Sequence, residues 1–131
     1  YAPGKRHATR IELRSPDPGC NAYLAFSVML AAGLRGIEQD LELSSPTEHD
    51  IYCMDQDERE QLDISMLPGN LEEALVEMQA GSIVRETLGD ALYRKFIVNK
   101  EIQVRNYRSE VGHKYDTRVS SFEIDHNLPR L

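Results

Sequence analysis

The stretch Arg10-Ile11-Glu12-Leu13-Arg14, closed by Ser15-Pro16-Asp17-Pro18, constrains this chain more than any other. Strict alternation of apolar and charged residues is the period of a half-buried β-strand. Successive side chains of an extended strand point to opposite faces. Ile11 and Leu13 would then enter a core, and Arg10, Glu12 and Arg14 would line the other face, spaced by repeats of about 6.5 Å. Pro16 and Pro18 stop the strand, because neither has a donor for the ladder. A carboxylate flanked by two guanidiniums at a strand end fits two readings. One is an edge strand with a solvated, salt-bridged face; alternating charge is common there and usually inert, so spacing alone favours it. The other is a strand end that meets a ligand. Either way a lone strand is not stable. Its partners must lie outside these 131 residues or in the arm Tyr1 to Thr9.

Beyond Gly19 the period changes to that of a helix. Asn21 is a suitable N-cap. Leu24, Val28, Ala31 and Ala32 recur at helical spacing, Phe26, Met29 and Leu34 thicken the stripe, and the helix should run to about Gln39. So broad an apolar surface implies burial on more than one side. Asp40 to Pro68 is irregular, with one or two turns of exposed helix over Asp55 to Glu60 and His49 as a surface histidine. At Asn70 a second helix starts, with Glu73 three residues on as a capping box requires, and Gly81 ends it. Ser82 or Thr87 starts the last long helix, whose inner face is Val84, Leu88, Leu92 and Phe96, with Lys100 and Arg105 outside; it reaches about Tyr107. The tail from Glu110 to Leu131 is polar until Val119 and then studded with apolar residues, which fits either docking on another chain or a frayed terminus.

Charge and cysteine usage narrow the partners. With 22 acidic and 15 basic residues the net charge is −7, which argues against nucleic acid or an anionic membrane as the main partner. Lys5, Arg6 and His7 still form a small basic patch before the charged strand, a solvated loop or an anion-facing one. Cys20 and Cys53 are too few for a disulfide framework and lack metal-ligand spacing; a reduced, cytoplasmic setting fits. The apolar run Tyr23 to Leu34 is too short to span a membrane. The chain opens on Tyr1, just before a Pro3-Gly4 turn, which suggests a piece of a longer protein.

Ala8 to Pro18, followed by Cys20-Asn21-Ala22-Tyr23-Leu24, resembles a segment of class I glutamine synthetases, whose pattern runs R-[IV]-E-x-R-x-P-D-P and then N-P-Y-L. Ala31 to Ile37 resembles the family's A-G-L-x-G-I, Leu67 to Leu75 its L-P-x-S-L-x-E-A-L, and Val119 to Glu123 a variant of V-T-P-W-E. The resemblance covers nearly the whole chain in order. It implies an α+β fold: a mainly helical piece of about three helices with an N-terminal strand belonging to the family's catalytic sheet. It further implies that residues 1–131 are the C-terminal portion of a catalytic domain, with 1–18 as active-site strand and flanks, 19–109 as the helical region and 110–131 as the tail.

The activity so implied is an ATP-dependent ligase that joins glutamate and ammonia into glutamine through a γ-glutamyl phosphate, with Mg²⁺ or Mn²⁺. The assembly so implied is a homo-oligomer of two stacked six-membered rings, a dodecamer. Carried across by motif, Glu12 is a metal ligand, Arg14 contacts glutamate and the transferring phosphoryl group, and Arg10 lies near the ATP phosphates. Two alternatives stand beside it: a relative that joins glutamate to another amine, against which Ser15 to Pro18 speaks, and a non-catalytic packing or oligomerisation module when these residues stand alone. Departures exist as well. His7 occupies roughly the place of a nucleotide-contacting lysine, with Lys5 nearby. Ala22 replaces the usual proline of N-P-Y-L. Tyr52 falls where some bacterial relatives are adenylylated, but Asp50 to Met54 lacks their N-L-Y-D-L-P, which argues against that modification. Residues 112–118 resemble an insertion.

Overall fold

The computed structural model describes residues 10–112 and 118–127. Their elements are α1 (Ala22–Glu38), a single 3₁₀ turn at Ile51–Cys53, α2 (Gln56–Gln61), α3 (Leu71–Ala80), α4 (Ile83–Val111) and α5 (Ser121–Asn127). Among the described residues there is no strand or sheet, so the expected α+β class with an N-terminal strand is corrected to an all-helical arrangement. The reason is non-local. A strand is defined by its partner, and residues 10–14 have none among the described residues; Ile11 and Leu13, expected in a core, are 98% and 59% exposed.

The helix starts follow local chemistry. The Asn21 side chain accepts from the Tyr23 and Leu24 amides, and α1 ends one residue before Gln39. At α2 the Asp55 carboxylate accepts from Glu58 N at 2.8 Å, and the Glu58 carboxylate accepts in return from Asp55 N at 3.0 Å. Asn70 caps α3 through Glu73 N at 2.9 Å. The return arm departs from the expected box, because Glu73 accepts from the Gly69 amide and the Asn70 side-chain amide instead. Gly81 closes α3 with an ordinary extended φ of −88°. Ser82, not Thr87, precedes α4; the Thr87 hydroxyl donates to the Ile83 carbonyl inside the helix.

α4 is the spine on which α1, α3 and α5 pack. It is broken once, at Gly89, where φ is 73° and ψ 156°. Val84, Leu88 and Phe96 of the expected inner face line one gap against α1 and α3, and the break falls between Leu88 and Leu92. Leu92 ends up exposed and Ile97 buried. Lys100, expected to be solvated, is half-buried with its ammonium 5.6 Å from the Phe96 ring centre.

Residues 121–127 of the tail form α5, packed on this chain where docking on another chain or fraying was expected. Ser120 and Glu123 make a reciprocal cap at the start of α5, with Ser120 N donating to Glu123 at 2.7 Å and Glu123 N to the Ser120 hydroxyl at 3.2 Å. Phe122 then meets Tyr107 edge-on at 5.6 Å, which docks α5 onto this chain's own α4.

Ion pairs tie helices together, Arg35 of α1 to Glu86 of α4 and Arg108 of α4 to Glu72 of α3. The apolar interior is small. Leu75 and Ile97 are the buried hydrophobic residues among those described, and a gap of about 220 Å³ between α1, α3 and α4 is lined by Leu24, Val28, Met78, Leu88 and Phe96.

Candidate functional site

Arg10, Glu12 and Arg14 do converge, although no strand carries them. Residues two apart in an extended backbone project to the same side. Arg14 Nε donates to Glu12 Oε1 at 2.7 Å, with Nη2 2.6 Å from the same oxygen. Arg10 Nη2 lies 4.0 Å from Glu12 Oε2, beyond hydrogen-bond distance. All three side chains are exposed. Ion pairs as open to water as these contribute about 0–1 kcal/mol, so the cluster does little for stability. Its chemistry is a net positive, oxyanion-seeking surface with one hard oxygen donor at its centre.

The segment after the cluster is held by a turn. Cys20 N donates to the Asp17 carbonyl at 3.0 Å, and Gly19 N donates to the Asp17 carboxylate at 2.6 Å. Asn21 then caps α1, so the cluster leads directly into a capped helix through a turn stiffened by Pro16 and Pro18.

Elsewhere, Lys5, Arg6 and His7, and residues 113–117 of the apparent insertion, lie outside the described residues. The Tyr52 ring is exposed on the 3₁₀ turn. His49 lines an open cleft with Asp50, Cys53 and Glu58, where the Cys53 thiol donates to the Asp50 carboxylate at 3.3 Å. A larger cleft of about 460 Å³, lined by Asn70, Asn99, Gln103, Tyr107, Phe122 and His126, opens between α4 and α5. The sequence offered no sign of it, because it exists only where α5 folds back. No group of three or more His, Cys, Asp or Glu residues able to hold a metal ion occurs among the described residues, and no helix there is long and apolar enough to cross a membrane.

The family of the chain is shown by its similarity to known proteins. The family model for the glutamine synthetase catalytic domain matches residues 1–119. The chain belongs to the glutamine synthetase family. Relatives include the glutamine synthetase of Thermotoga maritima, 43% identical over 121 residues, which are 92% of this chain and 26% of that protein. That of Methanococcus voltae is 42% identical over 89% of this chain and 24% of its own length. That of Mycobacterium bovis is 41% identical over 85% and 25%. The chain therefore spans about a quarter of the length of the curated glutamine synthetases it matches.

Proposed function

We propose that this chain supplies one wall of an ATP-dependent ligase site that forms glutamine from glutamate and ammonia. The observation that carries this reading is the convergence of Arg10, Glu12 and Arg14 on one exposed side, in a chain of this family. On this reading residues 1–131 are the C-terminal portion of the catalytic domain, with 1–18 facing the site, 19–109 as helical support and 110–131 as the tail.

The site chemistry follows from charge. In phosphoryl transfer, negative charge spreads over the oxygens of the migrating group, and fixed positive groups stabilise it. Arginine suits this because its planar fork stays charged and can grip an oxyanion with two parallel bonds. Arg14 holds the glutamate carboxylate and then the phosphoryl group passing from ATP to it. Arg10 faces the ATP phosphates. Ammonia displaces phosphate from the acyl phosphate, forming the amide C–N bond as the C–O bond to phosphate breaks.

Glu12 fits a Mg²⁺ or Mn²⁺ site as one ligand. It offers hard carboxylate oxygens, it is exposed, and its Oε2 lies outside hydrogen-bond range of Arg10. The remaining ligands would come from outside the described residues. A divalent ion there supplies charge that neutralises the nucleotide phosphates. Glu12 gives up little to bind it, since its exposed pairing with Arg14 is worth at most about 1 kcal/mol.

The amine is ammonia rather than a larger amine because Ser15 to Pro18 keep the family's ammonia-type pattern, and the expected assembly is a homo-oligomer of two stacked rings, a dodecamer. The test is Arg14→Ala in the full-length protein, assayed for glutamine with ATP and Mg²⁺. A loss of roughly 10²–10³-fold is expected, the scale for removing one transition-state donor. Unimpaired turnover would overturn the assignment.

A further inference from the structure

The outward side of α1 has no cover. Tyr23, Phe26, Leu30, Leu34 and Ile37 recur at i, i+3, i+7, i+11 and i+14, the spacing of one helix face. Their exposure runs from 50% at Leu34 to 86% at Tyr23. The opposite side of the same helix, through Leu24 and Val28, already faces Met78, Leu88 and Phe96. No charged residue occurs from Ala22 to Leu34, in a chain that is 28% charged. Gly33 borders the stripe and has nothing within 4 Å of where a Cβ would stand, so a facing surface can approach closely. A helix with water on that side carries polar residues there; a contiguous apolar stripe marks a docking surface.

Size identifies the occupant. The chain matches the model of a single catalytic domain yet spans about a quarter of its relatives' length. Among the described residues Leu75 and Ile97 are the buried hydrophobic ones, far short of the core that a compact monomer of this length encloses. A core with few buried residues, beside a long uncharged ridge, is half of an interior. We infer that Tyr23, Phe26, Leu30, Leu34 and Ile37 form the seam along which this chain docks onto the remainder of the glutamine synthetase catalytic domain, against an uncharged apolar surface of it. The inference rests on the reading of the chain as part of that domain. The competing occupant is a second copy of the chain.

The test is thiol labelling of Leu30→Cys in a background of Cys20→Ser and Cys53→Ser. It is made in the chain alone and in a chimera where the chain replaces the aligned 121-residue stretch of the Thermotoga maritima enzyme. Shielding should slow labelling by about tenfold or more in the chimera, while Lys95→Cys on exposed α4 labels alike in both. Equal labelling of Leu30→Cys in the two overturns the seam. So does slow labelling confined to the chain alone and rising on dilution, which assigns the stripe to a second copy. Labelling reads burial, not chemistry. A shielded chimera that makes no glutamine keeps the seam and counts against the site reading; an active chimera with fully reactive Leu30→Cys removes the seam alone.

Discussion

Glu86 stands between the Ser82 hydroxyl and the Arg35 guanidinium, and this small network clamps α1 to the start of α4. Hydrogen bonding from Ser82, then the pairing with Arg35, holds its carboxyl below the ordinary value of 4.5. Asp90 is lowered in the same way by the hydrogen bond from Arg85, 2.6 Å away across the Gly89 break. A carboxyl depressed by folding contributes stability that is present above its unfolded pKa and is lost as pH falls through the folded one. The melting temperature should therefore drop as pH falls below about 4.5. Glu86→Gln should flatten part of that dependence, leaving the part due to Asp90; thermal melts of both proteins across an acid series measure it. A Glu86→Gln chain with an undiminished acid slope would exclude the clamp as its source. None of this was legible beforehand, because Arg35 and Glu86 are far apart in sequence and meet only when α1 lies against α4.

At the scale of elements, capping and three of the four inward residues of α4 were readable, and the break at Gly89 was not. Asn21 and Asn70 act through amides two or three residues away, so their roles show in the bare order of residues. The stripe Val84, Leu88, Leu92 and Phe96 reads as one unbroken helix face because a glycine inside a helical pattern gives no sign of which conformation it takes. Gly89 takes one with φ of 73° and ψ of 156°, a region essentially closed to residues with a Cβ. Gly89→Ala should cost about 1–3 kcal/mol from backbone strain alone, since nothing lies within 4 Å of the added methyl. Urea unfolding would show this as a lower midpoint at unchanged slope. A midpoint equal to the parent's would mean that the break straightens at no cost.

At the scale of the whole molecule the charged cluster of residues 10–14 and the apolar ridge of α1 share one property: each is exposed, with no counterpart among the described residues. Arg10, Glu12 and Arg14 provide one carboxylate and two guanidiniums in open solvent. No set of carboxylates, histidines or cysteines among the described residues could complete a metal centre. The 131-residue chain by itself should form no glutamine from glutamate, ammonia, ATP and Mg²⁺. Glutamine detected above the rate of a chain carrying Arg14→Ala would refute this.

Family membership and most helix boundaries follow from the order of residues alone, because motifs and caps are read over a few neighbours. The strand expected at residues 10–14 shows the opposite case: alternation announces a face for burial, but only a paired neighbour makes a strand, and without one among the described residues Ile11 and Leu13 remain in water. Which side of α1 packs inward, the break of α4 at Gly89, and the return of Phe122 to Tyr107 depend on contacts between residues far apart in the chain. Such contacts form only when helices meet, and burial, unlike capping, has no local signature.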